Sequence, residues 1–500
     1  MRLPRVETSY GRVAGRRADG VDVFLGIPFA APTGGANRFR APRAPEPWTG
    51  VRDADAAGDA APQVALDAGV LPGMEVGAQS EDCLSLNVYT PAADGGRRPV
   101  MVWIHGGAFA IGSGSQSIYD GRALARRGDV VVVTIHYRLG ALGFLDLAAR
   151  FGEEAAESSN LGLRDQLAAL AWVRENIAAF GGDPDDVTLF GESAGAMSVG
   201  ALLGCPAARG LFRRAILQSG AAHCVHARED AARVLDRFLH ELGETELAAL
   251  RAAPLERILR AQLACTLAAD ELDVLLPFQP VAGDALLPRP PLDAVRDGSA
   301  AGVPMLIGTT TDEWSLFAFM DPGLPGLDEA GFAERVAARV GSEAALRVVE
   351  AYRKQAPAGA PSDHFVALET DFVFRVPALR LADAQSRHAP VYVYEFAWRS
   401  PAQDASLGAC HALDLPFVFD SLATPGMADF AGAGPDAEAL RDAVMDAWLG
   451  FARGAHPGGA PASDWPRHDA ASRPTLVFDR ALRVGRAPRE ETFRVWEGLR

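Results

Sequence analysis

Short, almost continuous hydrophobic segments recur along this 500-residue chain and alternate with helical stretches. Val100–Ile104 and Val130–Ile135 are nearly uninterrupted apolar runs, which is typical of strands covered on both faces of a sheet. Between them, Gly121–Gly128 is predicted to be one connecting helix. The alternation therefore predicts an α/β fold, with a central, mostly parallel sheet flanked by helices on both faces.

The rest of the chain continues this alternation. Asp165–Phe180 is predicted to be an amphipathic helix, because its apolar residues recur at spacings of three and four, and Gly181-Gly182 is predicted to be its C-cap. Residues 230–267 and 329–352 are predicted to be rich in helix. Further predicted strands are Val187–Phe190, Ala215–Gln218, Pro304–Gly308 and Val391–Phe396.

Composition favours a soluble globular chain and argues against nucleic acid as a partner. Hydrophobic residues make up 49% and charged residues 22%, which is enough to build a large core. The net charge of −16 argues against nucleic-acid binding, which requires clustered Arg and Lys. Because we find no fixed-period repeat and no low-complexity linker, we predict a single domain over residues 1–500.

The residues at the N-terminus and the arrangement of the cysteines favour a cytoplasmic location. Met1–Glu7 lacks the apolar stretch of a secretory signal. The longest uncharged runs, Val100–Tyr119 and Ser193–Ala208, are broken by Gly, Ser or Pro, so we expect no membrane span. Five widely spaced cysteines without a C-x-x-C pair support neither disulfides nor a metal site: Cys83, Cys205, Cys224, Cys265 and Cys410.

The motif Gly191-x-Ser193-x-Gly195 indicates a nucleophilic serine. It lies between the predicted strand Val187–Phe190 and a helix-like run, where a sharp turn would expose the serine hydroxyl. The first amides of that helix would point towards the oxyanion of a reacting carbonyl. His105-Gly106-Gly107-Ala108-Phe109 directly follows another strand, as expected for a loop of oxyanion-binding amides. We predict that the amides of Gly107, Ala108 and Ala194 form this oxyanion hole.

Two long segments carry a resemblance to a known family: Glu81–Pro91, which reads EDCLSLNVYTP, and Phe180–Gly182 with Val187–Gly195, which reads VTLFGESAG. The chain resembles the type B carboxylesterases, the family of the cholinesterases and bacterial para-nitrobenzyl-type esterases, over nearly its whole length. The resemblance implies an α/β-hydrolase fold and a serine carboxylic-ester hydrolase that forms an acyl-enzyme. It implies a small-molecule ester substrate, a monomer, and no metal or organic cofactor.

The base is expected among the histidines that lie late in the chain, after the acid, since α/β-hydrolases have the chain order Ser, acid, His. His411 lies in the loop Gly408–Phe419, which resembles the family's catalytic-histidine loop. It would remove the serine proton, with a carboxylate fixing its tautomer. Since an unperturbed histidine titrates near ~6.5, activity would fall on the acid side at about pH 6–7. The other late histidines are His364, His388, His456 and His468.

Two neighbouring carboxylates compete for the role of the acid. Asp312 and Glu313 both follow the predicted strand Pro304–Gly308. The family's acid matches Glu313, whereas many other α/β-hydrolases would use an aspartate. We favour Glu313 and interpret Asp312 as a turn or helix-cap residue.

Other matched positions suggest supporting roles. The resemblance implies two structural ion pairs, Arg38–Glu81 and Arg138–Asp165. Glu192 resembles a buried acid that polarises the site, although it could equally only shape the serine turn. Cys83 matches a cysteine that is disulfide-bonded in secreted relatives, but no partner exists near Ala61, which supports a reducing compartment. The departures from the family pattern are Ala108, Thr310, Trp314 and Asp414, which stand in place of Gly, Asn, Gly and Glu.

The candidate substrate pocket comprises Phe109, Glu192, Val274, Leu276 and Trp314. Residues 61–80 contain no aromatic residue that could bind a quaternary ammonium as in cholinesterases. On the acyl side, aliphatic residues stand where cholinesterases have aromatics. These features predict a preference for neutral, moderately hydrophobic esters.

Two alternatives remain at this stage. One keeps the mechanism but cleaves an amide, carbamate or thioester, which the sequence does not distinguish from an ester. The other is a non-catalytic adhesion-type binding module, because some members of the fold superfamily have lost the nucleophile. The presence of Ser193, Glu313 and His411 together argues against the second alternative.

Overall fold

The computed structural model describes residues 3–64, 71–458 and 465–499. Within these residues, eleven strands form one large sheet and three form a small N-terminal sheet. In chain order, the strands are β1 (Arg5–Thr8), β2 (Gly11–Ala14), β3 (Arg16–Ala18), β4 (Val21–Pro28), β5 (Val51–Asp53), β6 (Ser85–Thr90), β7 (Arg98–Ile104), β8 (Val131–Ile135), β9 (Gly182–Glu192), β10 (Arg214–Gln218), β11 (Met305–Thr310), β12 (Val391–Phe396), β13 (Pro474–Phe478) and β14 (Arg483–Arg486).

Helices connect most of these strands. A π-helical turn, Asp371–Arg375, joins the two helices Pro361–Thr370 and Val376–Gln385. In chain order, the α-helices of the described residues are α1 (Arg122–Gly128), α2 (Gly140–Phe144), α3 (Ala148–Phe151), α4 (Leu161–Asn176), α5 (Ala194–Gly204), α6 (Arg228–Leu242), α7 (Leu247–Ala252), α8 (Leu255–Leu267), α9 (Pro291–Arg296), α10 (Ser315–Ala318), α11 (Glu329–Val340), α12 (Ser342–Gln355), α13 (Pro361–Thr370), α14 (Val376–Gln385), α15 (Leu415–Val418), α16 (Met427–Ala431), α17 (Pro435–Gly454) and α18 (Glu490–Val495).

The large sheet confirms the predicted mostly parallel arrangement. Its strand order is β14-β13-β12-β11-β10-β9-β7-β8-β6-β4-β3. Neighbouring strands are parallel from β13 to β8, and the pairs at both edges are antiparallel. The sequence analysis predicted the six strands β7–β12 and did not identify β1–β6, β13 and β14. Of the missed strands, β1, β2, β3, β5 and β14 have only three or four residues and include exposed positions, so they make no continuous hydrophobic run.

The predicted helices are present, with shifted ends. The helix predicted at Asp165–Phe180 begins earlier, at Leu161, and its last turn is a 3₁₀ turn. It stops at Gly181, whose φ of 84° lies in the left-handed region that glycine adopts most easily. The helical block 329–352 is divided into α11 and α12 at Gly341, for the same reason.

Two hydrophobic cores cover the two faces of the large sheet. Along β7, Val100, Val102 and Ile104 join one core, while Met101 and Trp103 join the other. This alternation explains why β7 is apolar throughout, because successive side chains point to opposite faces. Each fully buried Val or Ile contributes about 1.5–3 kcal/mol, so these strands form a rigid base for the site.

The implied ion pairs are present, and the cysteines are free. Arg38 and Glu81 form a bidentate pair with N–O distances of 2.5 and 2.6 Å, and Arg138 and Asp165 form a buried pair at 2.7 Å. All five cysteines are buried and unpaired. In the described parts of the chain, no helix is both long enough and apolar enough to cross a membrane.

The parallel strands bring their carboxyl ends to one edge of the sheet. In the strand register, Ile104 of β7 lies opposite Gly191 of β9, and Glu192 of β9 lies opposite Gln218 of β10. Gln218 in turn lies opposite Gly308 of β11. The loops that follow these strands therefore meet, which is where open α/β sheets bind their ligands.

Candidate active site

Ser193 occupies a strained turn between β9 and α5. Its φ and ψ of 55° and −127° are rare for a residue with a side chain and cost about 1–3 kcal/mol. The flanking glycines are required sterically: a Cβ on Gly195 would lie 2.0 Å from the carbonyl oxygen of Ile104, and one on Gly191 would lie 2.6 Å from the backbone of Gly195. Ser193 is partly exposed, whereas its neighbours Glu192 and Ala194 are buried.

The loop after β7 lies directly against this serine. A Cβ built on Gly106 would lie 3.0 Å from Ser193 Cβ, so only glycine fits there. The following residues, Gly107, Ala108 and Phe109, all have positive φ. Among the described residues, the amides of Gly107 and Ala108 donate no hydrogen bond to another protein group. The amide of Ala194 begins α5, where helical amides lack intrahelical acceptors.

The structure brings together the histidine and the acid predicted from sequence. His411 Nδ1 lies 2.6 Å from Glu313 Oε2. Glu313 is completely buried, and its other oxygen accepts a 2.8 Å hydrogen bond from the amide of Thr310. The His411 amide also donates to the Glu313 carbonyl oxygen at 3.3 Å. The Glu313 carboxylate is thus held in place and can fix the tautomer of His411.

Asp312 points away from the imidazole and stabilises the histidine loop instead. Its Oδ2 accepts a 2.9 Å hydrogen bond from the amide of Ala409, and its own amide donates to the Ala409 carbonyl oxygen at 2.9 Å. A Cβ on Gly408 would lie 2.3 Å from this carboxylate. These contacts hold the backbone of the loop Gly408–Phe419.

The other late histidines contact other groups. His364 and His388 hydrogen-bond to the carbonyl oxygens of Ala356 and Arg296, and His468 pairs with Asp383 at 2.8 Å. These contacts lie on other elements of the fold.

The candidate pocket residues differ in their surroundings. Val274, Leu276 and Trp314 are half-buried. Phe109 has no exposed surface, and its ring packs edge-on against Phe144 with centroids 4.9 Å apart. In this structure Phe109 therefore holds the loop after β7 against the core.

Two aromatic residues beside His411 were not identified from the sequence. The rings of Phe317 and Phe374 lie 5.1 and 4.8 Å from the imidazole, centroid to centroid. Phe317 could have been found, because it follows Glu313 by one helical turn. Phe374 lies on the π-helical turn and had no local signal.

Comparison with known proteins places the chain in a family. The model of the family described as "Carboxylesterase family" matches residues 2–496. The chain belongs to the carboxylesterase family. It is 43% identical over 490 residues to the para-nitrobenzyl esterase of Bacillus subtilis (strain 168), and 37% identical over 493 residues to the phenmedipham hydrolase of Pseudarthrobacter oxydans. Each alignment covers 97% of both chains.

Solved carboxylesterase structures agree with this assignment. A Geobacillus stearothermophilus carboxylesterase at pH 6.2 superposes with a TM-score of 0.89 at 43% identity, covering 98% of this chain and 99% of that one. A structure titled PNB esterase superposes with a TM-score of 0.87 at 40% identity, covering 99% and 100%. The fold is that of the α/β-hydrolases, and the protein is a serine ester hydrolase.

Negative charge is concentrated around the imidazole of this carboxylesterase. Glu192 Oε1 lies 3.1 Å from His411 Nε2, and Asp414 is buried nearby with hydrogen bonds from Gln218 and Tyr394. Burial raises the pKa of Glu192 and raises that of Asp414 to about 6. Burial lowers the pKa of His411, but the carboxylates of Glu192 and Glu313 outweigh it, so the pKa is raised above the usual histidine value.

This electrostatic environment changes the pH dependence expected from the sequence. A base must be neutral, and the carboxylates favour the protonated imidazole, so kcat/KM should begin to fall at a pH above ~6.5. Glu192→Gln removes the carboxyl group that faces His411 Nε2 and can carry a negative charge there, so it should shift this acid limb to lower pH. The measurement is kcat/KM from about pH 5 to about pH 10 for both enzymes. A wild-type limb below the ordinary histidine value, or an upward shift in the variant, would contradict this.

His105 and His136 bond to groups other than Ser193. The two ring nitrogens of His136 lie 3.1 and 3.0 Å from the hydroxyl oxygens of Ser85 and Ser113. Burial lowers the pKa of His105 to about 3 and that of His136 to about 4, so both rings stay uncharged. His105 Nδ1 is 2.8 Å from the Gly106 carbonyl oxygen, and its ring stacks on Tyr137. Across the described residues, no group of three or more His, Cys, Asp or Glu side chains is arranged to hold a metal ion.

Proposed function

We propose that Ser193, His411 and Glu313 are the catalytic residues of this ester hydrolase. The observation that carries the assignment is the 2.6 Å contact between His411 Nδ1 and the buried Glu313 carboxylate, beside the strained turn of Ser193. With Nδ1–H donating to Glu313, Nε2 is the nitrogen that accepts the serine proton. Ser193 Oγ then attacks the ester carbonyl carbon.

The amides of Gly107, Ala108 and Ala194 stabilise the resulting oxyanion. When the tetrahedral intermediate collapses, the protonated His411 donates its proton to the departing alcohol, and the acyl-enzyme forms on Ser193. Water then attacks the acyl carbon with His411 again as base, which releases the carboxylic acid and restores Ser193. Ala108 contributes its backbone amide and not its side chain, so an alanine in place of the family's glycine is compatible with this role.

Substrate binding is expected to reorient the imidazole. His411 Nε2 lies 3.1 Å from Glu192 Oε1, and among the described residues no hydrogen bond joins it to Ser193 Oγ. Catalytic hydrogen bonds are often long or misaligned without substrate and tighten in the Michaelis complex. Glu192 thereby holds the imidazole near the serine and favours the protonated state that follows attack.

We propose that the substrates are neutral esters of moderate hydrophobicity. The half-buried Val274 and Leu276 offer apolar contact without charge, and Trp314 adds an aromatic surface beside the acid. Residues 61–80, which contain no aromatic side chain, offer no cation–π site for a quaternary ammonium. Positions 65–70 of that segment lie outside the described residues. The relative named para-nitrobenzyl esterase supports an ester of this kind.

A chain-length series tests this substrate class. Aryl butanoate and longer esters should be hydrolysed at least as efficiently as aryl acetate, because each additional buried methylene contributes up to ~0.8 kcal/mol until the pocket is full. The measurement is kcat/KM for aryl acetate, butanoate and octanoate, with an acylcholine of matched acyl length and the corresponding anilide as controls. Preference for the acylcholine, rejection of acyl groups longer than acetyl, or faster cleavage of the anilide would overturn the proposal.

Location, assembly and domain organisation stay predictions. We propose a cytoplasmic monomer, supported by the five unpaired cysteines for the compartment and by family resemblance for the monomer. The net charge of −16 supports small-molecule substrates over nucleic acid. The single domain over residues 1–500 is the organisation that best fits one large sheet.

A further inference from the structure

The π-helical turn Asp371–Arg375 connects the imidazole to a distant part of the chain. Phe374 on this turn packs on His411, and it also stacks on Phe317 with a ring-centroid distance of 6.1 Å and an interplanar angle of 11°. The imidazole therefore contacts Glu313 at one edge and this aromatic pair across its ring. Single π-helical turns within helices are uncommon and occur frequently at functional sites.

Arg375 anchors this turn to the C-terminal segment. Its side chain is almost fully buried and forms a bidentate pair with Asp371, at 2.6 and 2.9 Å. The same guanidinium donates to the Thr492 hydroxyl at 2.8 Å. It also donates to the carbonyl oxygens of Pro488 and Arg489, both at 3.2 Å. One buried side chain thus holds the π-helical turn against the start of α18.

A second set of contacts reinforces this connection. The Tyr352 hydroxyl donates to Asp371 Oδ2 at 2.8 Å and accepts a 2.9 Å hydrogen bond from Trp496 Nε1. The Trp496 ring stacks on Phe372, with centroids 5.4 Å apart. The turn therefore contacts the C-terminal segment through Phe372 and Arg375, and it contacts the imidazole through Phe374.

Stability alone does not account for this arrangement. Desolvation of a buried ion pair cancels most of its electrostatic attraction, so apolar residues of equal volume often stabilise a protein as well or better. What Arg375 adds is direction, because its planar guanidinium binds Asp371 and the α18 segment in one relative orientation.

We propose that Arg375 is a positioning residue of the ester hydrolase: by holding the π-helical turn against the C-terminal segment, it orients Phe374 and, through Phe374, the imidazole of His411. The inference rests on the proposed role of His411 as base. It extends the supporting structure of the active site to α18.

The test compares Arg375→Lys and Phe374→Leu with a matched control, Arg214→Lys. Arg214 is also a buried arginine paired with an aspartate, Asp186, but it lies at the opposite end of β10 from the site. Arg375→Lys and Phe374→Leu should each lower kcat by about 10- to 100-fold, because a small misplacement of a catalytic group has effects of this size. KM should change far less than kcat, and the acid limb of the pH profile should shift in both variants.

The double variant and a catalytic control complete the test. If Arg375 acts through Phe374, the double variant should lose little more activity than either single one. Additive losses, or folded single variants with wild-type kcat and pH profile, would overturn the inference, as would an equal loss in Arg214→Lys. If Arg375→Lys does not fold, Phe374→Leu still tests the contact with the imidazole. His411→Ala, measured alongside, separates the two proposals, since activity retained there would instead refute the role of His411.

Discussion

Replacing Ser193 or His411 with alanine should reduce kcat by about 10⁴- to 10⁶-fold, because either change disables a unit that works only when complete. Without Ser193 no acyl-enzyme can form. Without His411 the serine hydroxyl stays protonated and is a poor nucleophile. The double variant should therefore lose little more activity than either single variant, and residual turnover should come from the oxyanion hole and binding alone.

The measurement is kcat and KM on an aryl butanoate, with circular dichroism to verify folding. His411→Ala leaves the buried Glu313 carboxylate without its partner, which can destabilise the fold. His411→Gln, which retains a hydrogen-bond donor, is the matched control for this effect. A serine-reactive organophosphate should modify the wild type once per chain and leave Ser193→Ala unmodified. Multiplicative losses in the double variant would show that the two residues act independently.

Glu313→Gln should cost far more activity than Asp312→Asn. A neutral amide at Glu313 no longer stabilises the imidazolium and can hold the histidine in the wrong tautomer, an effect of about 10⁴-fold in a comparable triad. Asp312→Asn keeps an oxygen for the Ala409 amide and changes only the histidine loop, so its loss should be modest.

These two substitutions are closely matched, because they make the same chemical change at adjacent positions. Both should be assayed for kcat/KM and for thermal stability. Glu313→Asp, which keeps the charge but shortens the side chain, should have intermediate activity. The opposite order, with Asp312→Asn the less active, would reassign the acid to Asp312.

Much of the fold could be predicted from local patterns. Continuous apolar runs identified β7, β8 and β12 to within two residues at each end, because buried parallel strands need apolar side chains on both faces. The ends of α4 were less accurate, because no side-chain hydrogen bond caps its first turn and its last turn is 3₁₀. The N-terminal edge strands were missed because they are short and partly exposed.

Part of the candidate site could also be predicted from local sequence patterns. Ser193 and the oxyanion loop lie in compact motifs whose glycines are required by close backbone contacts, so the motifs themselves are informative. The histidine was found from chain order together with family resemblance. That Glu192, Asp414 and Phe374 lie together around the imidazole was not predicted, because they come from three separate parts of the chain.

The sequence by itself predicted the six central strands and the helices between them, the nucleophile and the amides beside it, because each depends on residues that are neighbours in the chain. Only the tertiary structure decided which of two adjacent carboxylates faces the imidazole. Asp312 and Glu313 leave the same turn in different directions, and the Gly408–Ala409 backbone holds one while the Thr310 amide and His411 hold the other. The raised pKa of His411 likewise depends on the tertiary structure, because it arises from charges that folding brings within a few ångströms.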